Sequence, residues 1–228
     1  MKRGASPKTP AGKSPAGKSP AGKSPAGKAA PQSVLRVEAI TSFQPGDLHD
    51  ICDAAEDAIN AGGGFGWVRP PERSVLENYW KGILVIPERL LIVARIDGVI
   101  CGSAQILRPT VNNEAQAFAV QLQHAFIAPW ARGHGLARQL MEKAEMLARS
   151  EGFDVITLDV RATQERAIRL YEAMGYHRWG ENPFYARVDS EPVTGLYFYK
   201  DLRVGPGSTG SIGPIGPAAR SQKRGTAK

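Results

Sequence analysis

The chain has 228 residues, 42% hydrophobic content and four tryptophans, which is enough for one substantial folded domain. Its net charge of +7 comes from its ends, because residues 1–33 hold seven bases, residues 203–228 hold five, and neither segment holds an acid. The remaining 17 bases of residues 34–202 face all 22 acids, so this part has a net charge of −5. No apolar run approaches the length of a membrane span, and we expect no signal peptide and no membrane partner.

The two cysteines lie in different kinds of pattern, Cys52 in a helical one and Cys101 in a strand. We therefore expect buried thiols in a reducing compartment, and a cytoplasmic protein. Two cysteines and four scattered histidines form no metal-ligand pattern, so no metal is expected.

The N-terminal segment contains a tandem repeat over residues 9–28, TPAGK followed by three copies of SPAGK. A period of five matches neither a helix nor a strand, and each unit carries a proline and a glycine. Such a segment buries too little apolar surface to offset its ordering entropy. We therefore predict disordered basic tails at 1–33 and 203–228. They could bind nucleic acid or another polyanion weakly by neutralising phosphates, or be solvated with no dedicated partner.

Hydrophobic periodicity predicts a series of helices and strands between these tails. In chain order they are strand 34–40, helix 45–61 with Asp47 as N-cap, a helix capped by Ser74, strands 89–96, 99–107 and 115–127, a helix from Leu136, strand 154–160, helix 165–174, and strands near 176–179, 185–188 and 196–200. Asp97-Gly98 is a strong signal for a two-residue hairpin turn. The order predicts a mixed α/β (α+β) fold, with about seven strands in a central sheet flanked by about four helices.

A basic glycine loop lies between the strand that ends at Phe126-Ile127 and the helix that follows. Its residues are Arg132, Gly133, His134, Gly135, Leu136, Ala137 and Arg138. The two glycines let the backbone approach a ligand, and the first N–H groups of a helix have no partner within it. With the helix dipole and two arginines, the loop is suited to holding a pyrophosphate. The same pattern could also be another nucleotide site or an ordinary tight turn.

Two motifs carry a resemblance to a known family. Arg132-x-x-Gly135-x-Ala137 resembles the acyl-CoA-binding signature of the GNAT acetyltransferase superfamily. Leu158-Asp159-Val160, followed by Ala167-Ile168-Arg169-Leu170-Tyr171 and Gly175-Tyr176, is similar to its second signature, one helix and one strand downstream. The resemblance covers about residues 34–202. Gly66-Trp67-Val68-Arg69-Pro70 and Tyr79-Trp80 are also similar to the tabtoxin-resistance branch of small-molecule acetyltransferases.

This resemblance implies an acetyl-CoA-dependent N-acetyltransferase with a strand that splays from its neighbour at the cofactor site. The implied cofactor-binding residues are Phe126 and Ile127 through their backbone, Arg132, Gly133, His134, Gly135, Leu136, Ala137 and Arg138 in the loop, and Gln164. His134 is expected to act through its backbone N–H. Gln164 stands where the family often has asparagine, so the amide is retained on a longer side chain.

The resemblance also implies one catalytic residue and leaves another open. Tyr171 matches the family tyrosine near the CoA sulfur, and a phenol can protonate a leaving thiolate. It could instead be a buried helix tyrosine. Gln121 stands where many relatives carry glutamate, and glutamine cannot usefully accept a proton. His124 is our candidate general base, with Glu114 or an ordered water chain as alternatives, and it could also serve packing alone.

The tryptophans are candidates for the acceptor pocket. We expect Trp67 and Trp80 to line it, and Trp130 and Trp179 to belong to the core.

We predict direct transfer of an acetyl group to a primary amine of a small molecule in a ternary complex. The net charge of −5 favours a cationic acceptor. The alternatives are a protein-lysine acetyltransferase acting on nucleoprotein, and a non-catalytic acyl-CoA-binding or nucleic-acid-tethering module. The chain could also form an oligomer.

Overall fold

A computed structural model describes residues 33–63 and 66–203 of the chain. The predicted tails, including the pentad repeats, lie outside the described residues apart from Ser33 and Arg203. The described elements are β1 Leu35–Ile40, α1 Asp47–Asn60, α2 Arg73–Val85, β2 Arg89–Ile96, β3 Val99–Leu107, β4 Ala119–Ile127, α3 Leu136–Ser150, β5 Val155–Arg161, α4 Glu165–Ala173, β6 His177–Val188 and β7 Glu191–Asp201. The strands form a seven-stranded sheet in the order β1-β2-β3-β4-β5-β7-β6. The predicted mixed α/β fold is confirmed.

The main core lies between the sheet and α3. Side chains alternate along a strand, so every second residue of a strand faces this core. α3 supplies the apolar stripe that the sequence predicts, α4 adds Tyr171, and Met174 follows directly after α4. The buried members from these elements include Ile92, Ala94, Val120, Leu122, Leu136, Leu140, Met141, Ala144, Ile156, Leu158 and Phe198.

The opposite side of the sheet is covered in a different way. α1 and α2 pack over β2 and β3, with a second core that includes Ile51, Leu76, Trp80, Leu91 and Val93. On the same side, β4, β5 and β7 carry partly exposed polar side chains, namely Gln121, Gln123, Thr157, Asp159 and Tyr199. We call this polar surface the open face. It leaves the sheet accessible beside the two helices.

The sheet divides between β4 and β5, and we call this point the fork. The two strands are parallel and paired from Ala119↔Val155 to Leu122↔Leu158. Past these pairs, β4 stays with β3 as far as Ile127, and β5 stays with β7 as far as Arg161. The splayed strand that the family resemblance implies is therefore present.

A β-bulge in β4 lies immediately beyond the fork. Ser103 is opposite Phe126 and Gln105 is opposite Gln123, so β4 has one residue more than β3 over this stretch. His124 takes up the difference with a positive φ of 52°, a left-handed conformation that non-glycine residues rarely adopt. As a result, Gln123 and His124 both reach toward the α2 side, where they contact Arg89 and Tyr79.

Several predicted local features are confirmed and others are corrected. Asp97-Gly98 turns the β2–β3 hairpin with positive φ at both residues. Asp47 lies within α1 after Gly46 at the N-cap position, and its carboxylate binds Arg95 instead. Ser74 likewise lies inside α2 and does not cap it. The last three predicted strands are two long ones, because β6 continues from His177 to Val188.

Candidate active site

The glycine loop has the backbone conformation that an anion site needs. Gly133 and Gly135 have φ values of 89° and 77°, so both occupy the left-handed region that favours glycine. A Cβ on Gly133 would have no neighbour within 4 Å, so this side of the loop opens onto free space. α3 begins at Leu136, and its first N–H groups have no acceptor within the helix. The residues therefore fit a pyrophosphate.

The loop side chains support that backbone. Arg132 Nε donates to the Ile127 carbonyl at 3.3 Å, which ties the loop to the end of β4. The His134 ring lies with Nδ1 3.2 Å from the Ala131 carbonyl, so the imidazole folds back on the loop. This agrees with a backbone role for His134, which stays a prediction.

At the end of β4, the N–H and C=O groups of successive residues point alternately toward β3 and toward the fork. Ala128 N–H donates to the Cys101 carbonyl at 2.8 Å, and Phe126 is opposite Ser103. Hydrogen-bonded pairs alternate in an antiparallel ladder, so the peptide groups of Phe126 face β3 and those of Ala125 and Ile127 face the fork. This geometry supports Ile127 as a backbone ligand and places Ala125, not Phe126, beside it. Counting back by two residues from Ile127 along the predicted strand would have pointed to Ala125.

Tyr171 lies on α4 with its side chain 6% exposed. It lines the cleft at the fork together with Ile127 and Asp159. Burial, reinforced by the negative charge of Asp159, raises the pKa of Tyr171 to about 12. The hydroxyl therefore keeps its proton at neutral pH, as a general acid requires.

His124 is held by hydrogen bonds to the α2 side of the cleft. Its Nδ1 is 2.5 Å from the Tyr79 hydroxyl, which accepts from Gln105 Nε2 at 3.0 Å. Burial, together with the positive charge of Arg89 and against the opposing charge of Asp159, lowers the pKa of His124 to about 4. The imidazole is therefore neutral at pH 7, which suits a hydrogen-bond acceptor better than a strong base.

Asp159 is a site residue that sequence reasoning missed. Its Oδ1 accepts from Gln121 Nε2 at 2.9 Å, and its Oδ2 accepts from the Tyr185 hydroxyl. A glutamate at position 121 would place a second carboxylate against Asp159, so glutamine there is the compatible residue. The sequence showed Asp159 only as part of a signature. Nothing local to it predicts that Gln121 and Tyr185 converge on its carboxylate.

One cleft of about 1400 Å³ joins these groups. Its lining includes most of the predicted site residues, namely His124, Phe126, Ile127, Arg132, Gly133, Gly135, Leu136, Ala137, Arg138, Gln164 and Tyr171. The Gln164 amide donates to the Gly62 carbonyl at 2.7 Å, so it ties α4 to the end of α1. Any contact of Gln164 with a cofactor stays a prediction.

The two tryptophans predicted at the acceptor pocket are not among the residues that line this cleft. Trp80 is 0% exposed and belongs to the core under α2, so we correct its assignment from pocket wall to core. Trp67 is partly buried, with its ring edge-on to Tyr79 at 5.0 Å between centroids. The expectation of a core position was wrong for Trp130 and Trp179, which are 52% and 64% exposed.

A metal site and a membrane span each need a recognisable arrangement of residues. Within residues 33–63 and 66–203, no three His, Cys, Asp or Glu side chains are placed to hold a metal ion. None of the helices in those ranges is long and apolar enough to cross a bilayer.

Comparison with known proteins identifies the family. Residues 52–176 match the profile of the acetyltransferase (GNAT) family, and the chain belongs to it. A relative from Azospirillum brasilense, described as an N-acetyltransferase in the hisH-hisA intergenic region, is 62% identical over 130 residues. That match covers 57% of this chain and 77% of the relative.

Solved structures share the fold. An acetyltransferase from Salmonella typhimurium with its cofactor acetyl-CoA aligns with a TM-score of 0.63 and 15% identity, over 82% of this chain and 99% of its own. A spermidine N-acetyltransferase from Vibrio cholerae in complex with CoA and spermine aligns with a TM-score of 0.62 and 18% identity, over 74% and 96%. The protein is an acetyl-CoA-dependent N-acetyltransferase of the GNAT type.

Proposed function

We propose that the protein acetylates a primary amine of a small molecule by direct attack of that amine in a ternary complex. The observation that carries the proposal is the fork, where the glycine loop, Tyr171 and the open face meet in one cleft. The spermidine enzyme from Vibrio cholerae, which shares the fold, is a precedent for a small amine acceptor.

Acetyl-CoA supplies the acetyl group as an activated thioester. The loop from Arg132 to Arg138 would hold its pyrophosphate, since the glycines and the α3 N-terminus fit that group. The peptide groups of Ala125 and the N–H of Ile127, directed at the fork, would orient the acyl chain, while the Ile127 carbonyl accepts from Arg132. The hydroxyl of Tyr171 holds a proton for the departing sulfur.

Direct transfer is supported by the state of the two cysteines. Both are buried, and burial raises the pKa of each thiol to about 11. A protonated, buried thiol is a poor nucleophile. Cys101 also points into the core on the α3 side. An acetylated cysteine is therefore not a plausible step, and the amine itself would attack.

The test is titration calorimetry of the full-length protein with acetyl-CoA, alongside the Gly135→Glu variant. At a φ of 77° the glutamate is strained, and its charge repels the pyrophosphate, so we expect binding to weaken by about 100-fold or more. The matched control is Gly152→Glu at the other end of α3, where φ is 86°. It carries the same charge and a similar strain but should keep acetyl-CoA affinity.

Turnover completes the test. Thiol release in the presence of a panel of primary amines should appear in wild type and Gly152→Glu and be lost in Gly135→Glu. Acetyl-CoA binding with no amine acetylated would contradict the proposed acceptor class. Equal binding by Gly135→Glu and wild type would contradict the assignment of the loop.

A further inference from the structure

A chain of four polar side chains crosses the open face and ends in opposite charges. Arg89 Nη1 donates to Gln123 Oε1 at 3.1 Å, and Gln123 Nε2 donates to Gln121 Oε1 at 2.9 Å. Gln121 Nε2 then donates to Asp159 Oδ1 at 2.9 Å. Both amides point the same way, with the oxygen toward the cation and the nitrogen toward the carboxylate. We call these four residues the charge strip.

Neither end of the charge strip forms a direct ion pair with another described side chain. Arg161, two residues from Asp159 on the same face of β5, donates to the Trp67 carbonyl instead. Over the described ranges, the hydrogen-bond partners of the Arg89 guanidinium are the amide oxygens of Gln105 and Gln123. The partners of the Asp159 carboxylate are the Gln121 amide and the Tyr185 hydroxyl. Charges with neutral partners keep most of their attraction for a ligand of opposite sign, because no counter-ion already offsets it.

The charge strip is also accessible. All four of its side chains are partly exposed. Gln123 and Asp159 line the cleft at the fork, while Arg89 and Gln121 line a neighbouring cavity of about 990 Å³. The two cavities adjoin at the hydrogen bond between Gln123 and Gln121, so a ligand that spans the strip would have one end at Asp159 and the other at Arg89.

We propose that the acceptor is a zwitterionic small molecule whose ammonium binds Asp159 and whose anionic group binds Arg89. This rests on the proposed function, and it names the substrate class for the same site. β2 and β5 lie three strand spacings apart, about 14 Å between backbones, and the side chains shorten this to the order of 10 Å. An amine with a carboxylate several bonds away matches this separation. Bidentate binding of a carboxylate is the contact that a guanidinium favours.

Gln123, Gln121 and Gln105 give the strip its fixed polarity. Gln105 is 0% exposed, accepts from Arg89 at 2.7 Å and donates to Tyr79, so its amide orientation is set from both sides. These amides hold Arg89 and Asp159 in place while keeping them apart. A ligand with both charges would bind without rearranging either end.

The experiment uses ω-amino carboxylates of about four to eight carbons and the matching ω-amino carboxamides. Values of kcat/KM are measured for wild type, Arg89→Gln and Arg89→Lys. In wild type the carboxylate should be preferred at one chain length. Arg89→Gln should lower kcat/KM for that carboxylate about 10- to 100-fold and leave the carboxamide within about twofold. Arg89→Lys should restore part of the preference.

The matched control is Arg108→Gln. Arg108 lines the same cavity but is paired with Glu151 by two hydrogen bonds of 2.6 Å, so removing it should leave the preference unchanged. Equal losses for carboxylate and carboxamide in Arg89→Gln would show a structural role and overturn the proposal. No preference for the carboxylate in wild type would also overturn it.

Binding separates this inference from the proposed function. Calorimetry with the same two series, on protein saturated with CoA, needs no turnover. Suppose that the carboxylate binds more tightly than the carboxamide, that this difference depends on Arg89, and that neither compound is acetylated. This result would support the charge strip and count against the proposed reaction. Acetylation of both series with equal efficiency would support the reaction and count against the charge strip.

Discussion

Two arginines on β2, Arg89 and Arg95, reach the same side of the sheet, but their guanidinium groups have hydrogen-bond partners of different charge. Arg95 is 6% exposed and binds both carboxylate oxygens of Asp47, at 2.6 and 2.8 Å, and Glu38 at 2.9 Å. Arg89 is partly exposed and meets neutral amides instead. The first arginine is neutralised and fastens α1 to the sheet. The second has no carboxylate partner among the described residues, and in our proposal its charge binds the anionic group of the acceptor.

The largest effect should come from breaking the neutralised pair. Asp47→Asn leaves Glu38 as the remaining described carboxylate on buried Arg95, and we expect the free energy of unfolding to fall by at most about 3–5 kcal/mol. Chemical denaturation measures this. Asp53→Asn, also on α1, removes an exposed partner of Arg73 and should cost at most about 1 kcal/mol. Similar losses in both variants would contradict the structural role of Arg95.

The Asp47–Arg95 pair also makes the stability of the fold depend on pH in acid. The hydrogen bond from Arg95 holds the pKa of Asp47 below its ordinary value of 3.8. A carboxyl whose pKa is lower in the folded state stabilises the fold above its unfolded pKa, and this stabilisation is lost as the pH falls through the folded pKa. Wild type should therefore lose stability below about pH 4 more steeply than Asp47→Asn.

An intermediate effect should follow from loosening the open face at Gly195. A Cβ on this residue of β7 would lie 2.1 Å from Cγ of Tyr185, whose ring crosses the strand there. Gly195→Ala should push Tyr185 off Asp159, cost about 1–3 kcal/mol of stability and raise KM for the amine. Gly180→Ala on β6 is the control, because nothing lies within 4 Å of that position. If Tyr185 is the cause, Gly195→Ala combined with Tyr185→Ala will cost less than the sum of the two.

The smallest effect concerns His124. Its pKa of about 4 lies below the ordinary 6.5, so the folded protein binds fewer protons than the unfolded chain between these values. Stability from this group is complete above about pH 6.5 and declines as the pH falls toward 4. His124→Asn, which tolerates the positive φ, should flatten that decline in thermal unfolding. An inflection near pH 6.5 in wild-type kcat/KM that vanishes in His124→Asn would show a protonated role instead.

Sequence reasoning predicted the features that depend on neighbours in the chain. The α3 stripe, the turn at Asp97-Gly98 and the glycine loop each follow from a few adjacent residues. The charge strip does not, because the hydrogen bonds at its two ends join residues 34 and 38 positions apart. The extra residue at His124 sets which side chains of β4 reach the open face. Such register cannot be obtained from periodicity alone.

Trp80 is a second case in which the local sequence pattern does not determine where a side chain lies. An aromatic residue on an amphipathic helix can line a pocket or fill a core, and only the packing of α2 against Leu91 and Val93 distinguishes the two. The local pattern is identical in both cases.

The fork also has a mechanical consequence. Four residue pairs between β4 and β5 hold together two blocks of sheet, β1 to β4 and β5 to β7, that are otherwise paired along longer edges. Among the described strands, β4 and β5 share the fewest paired residues, so we expect this seam to open first in local unfolding. In the proposed function acetyl-CoA and the amine bind along this seam, so each of them should also stabilise the contact between the two blocks. The same four residue pairs would then determine both how easily the cleft opens and how rigid the sheet is.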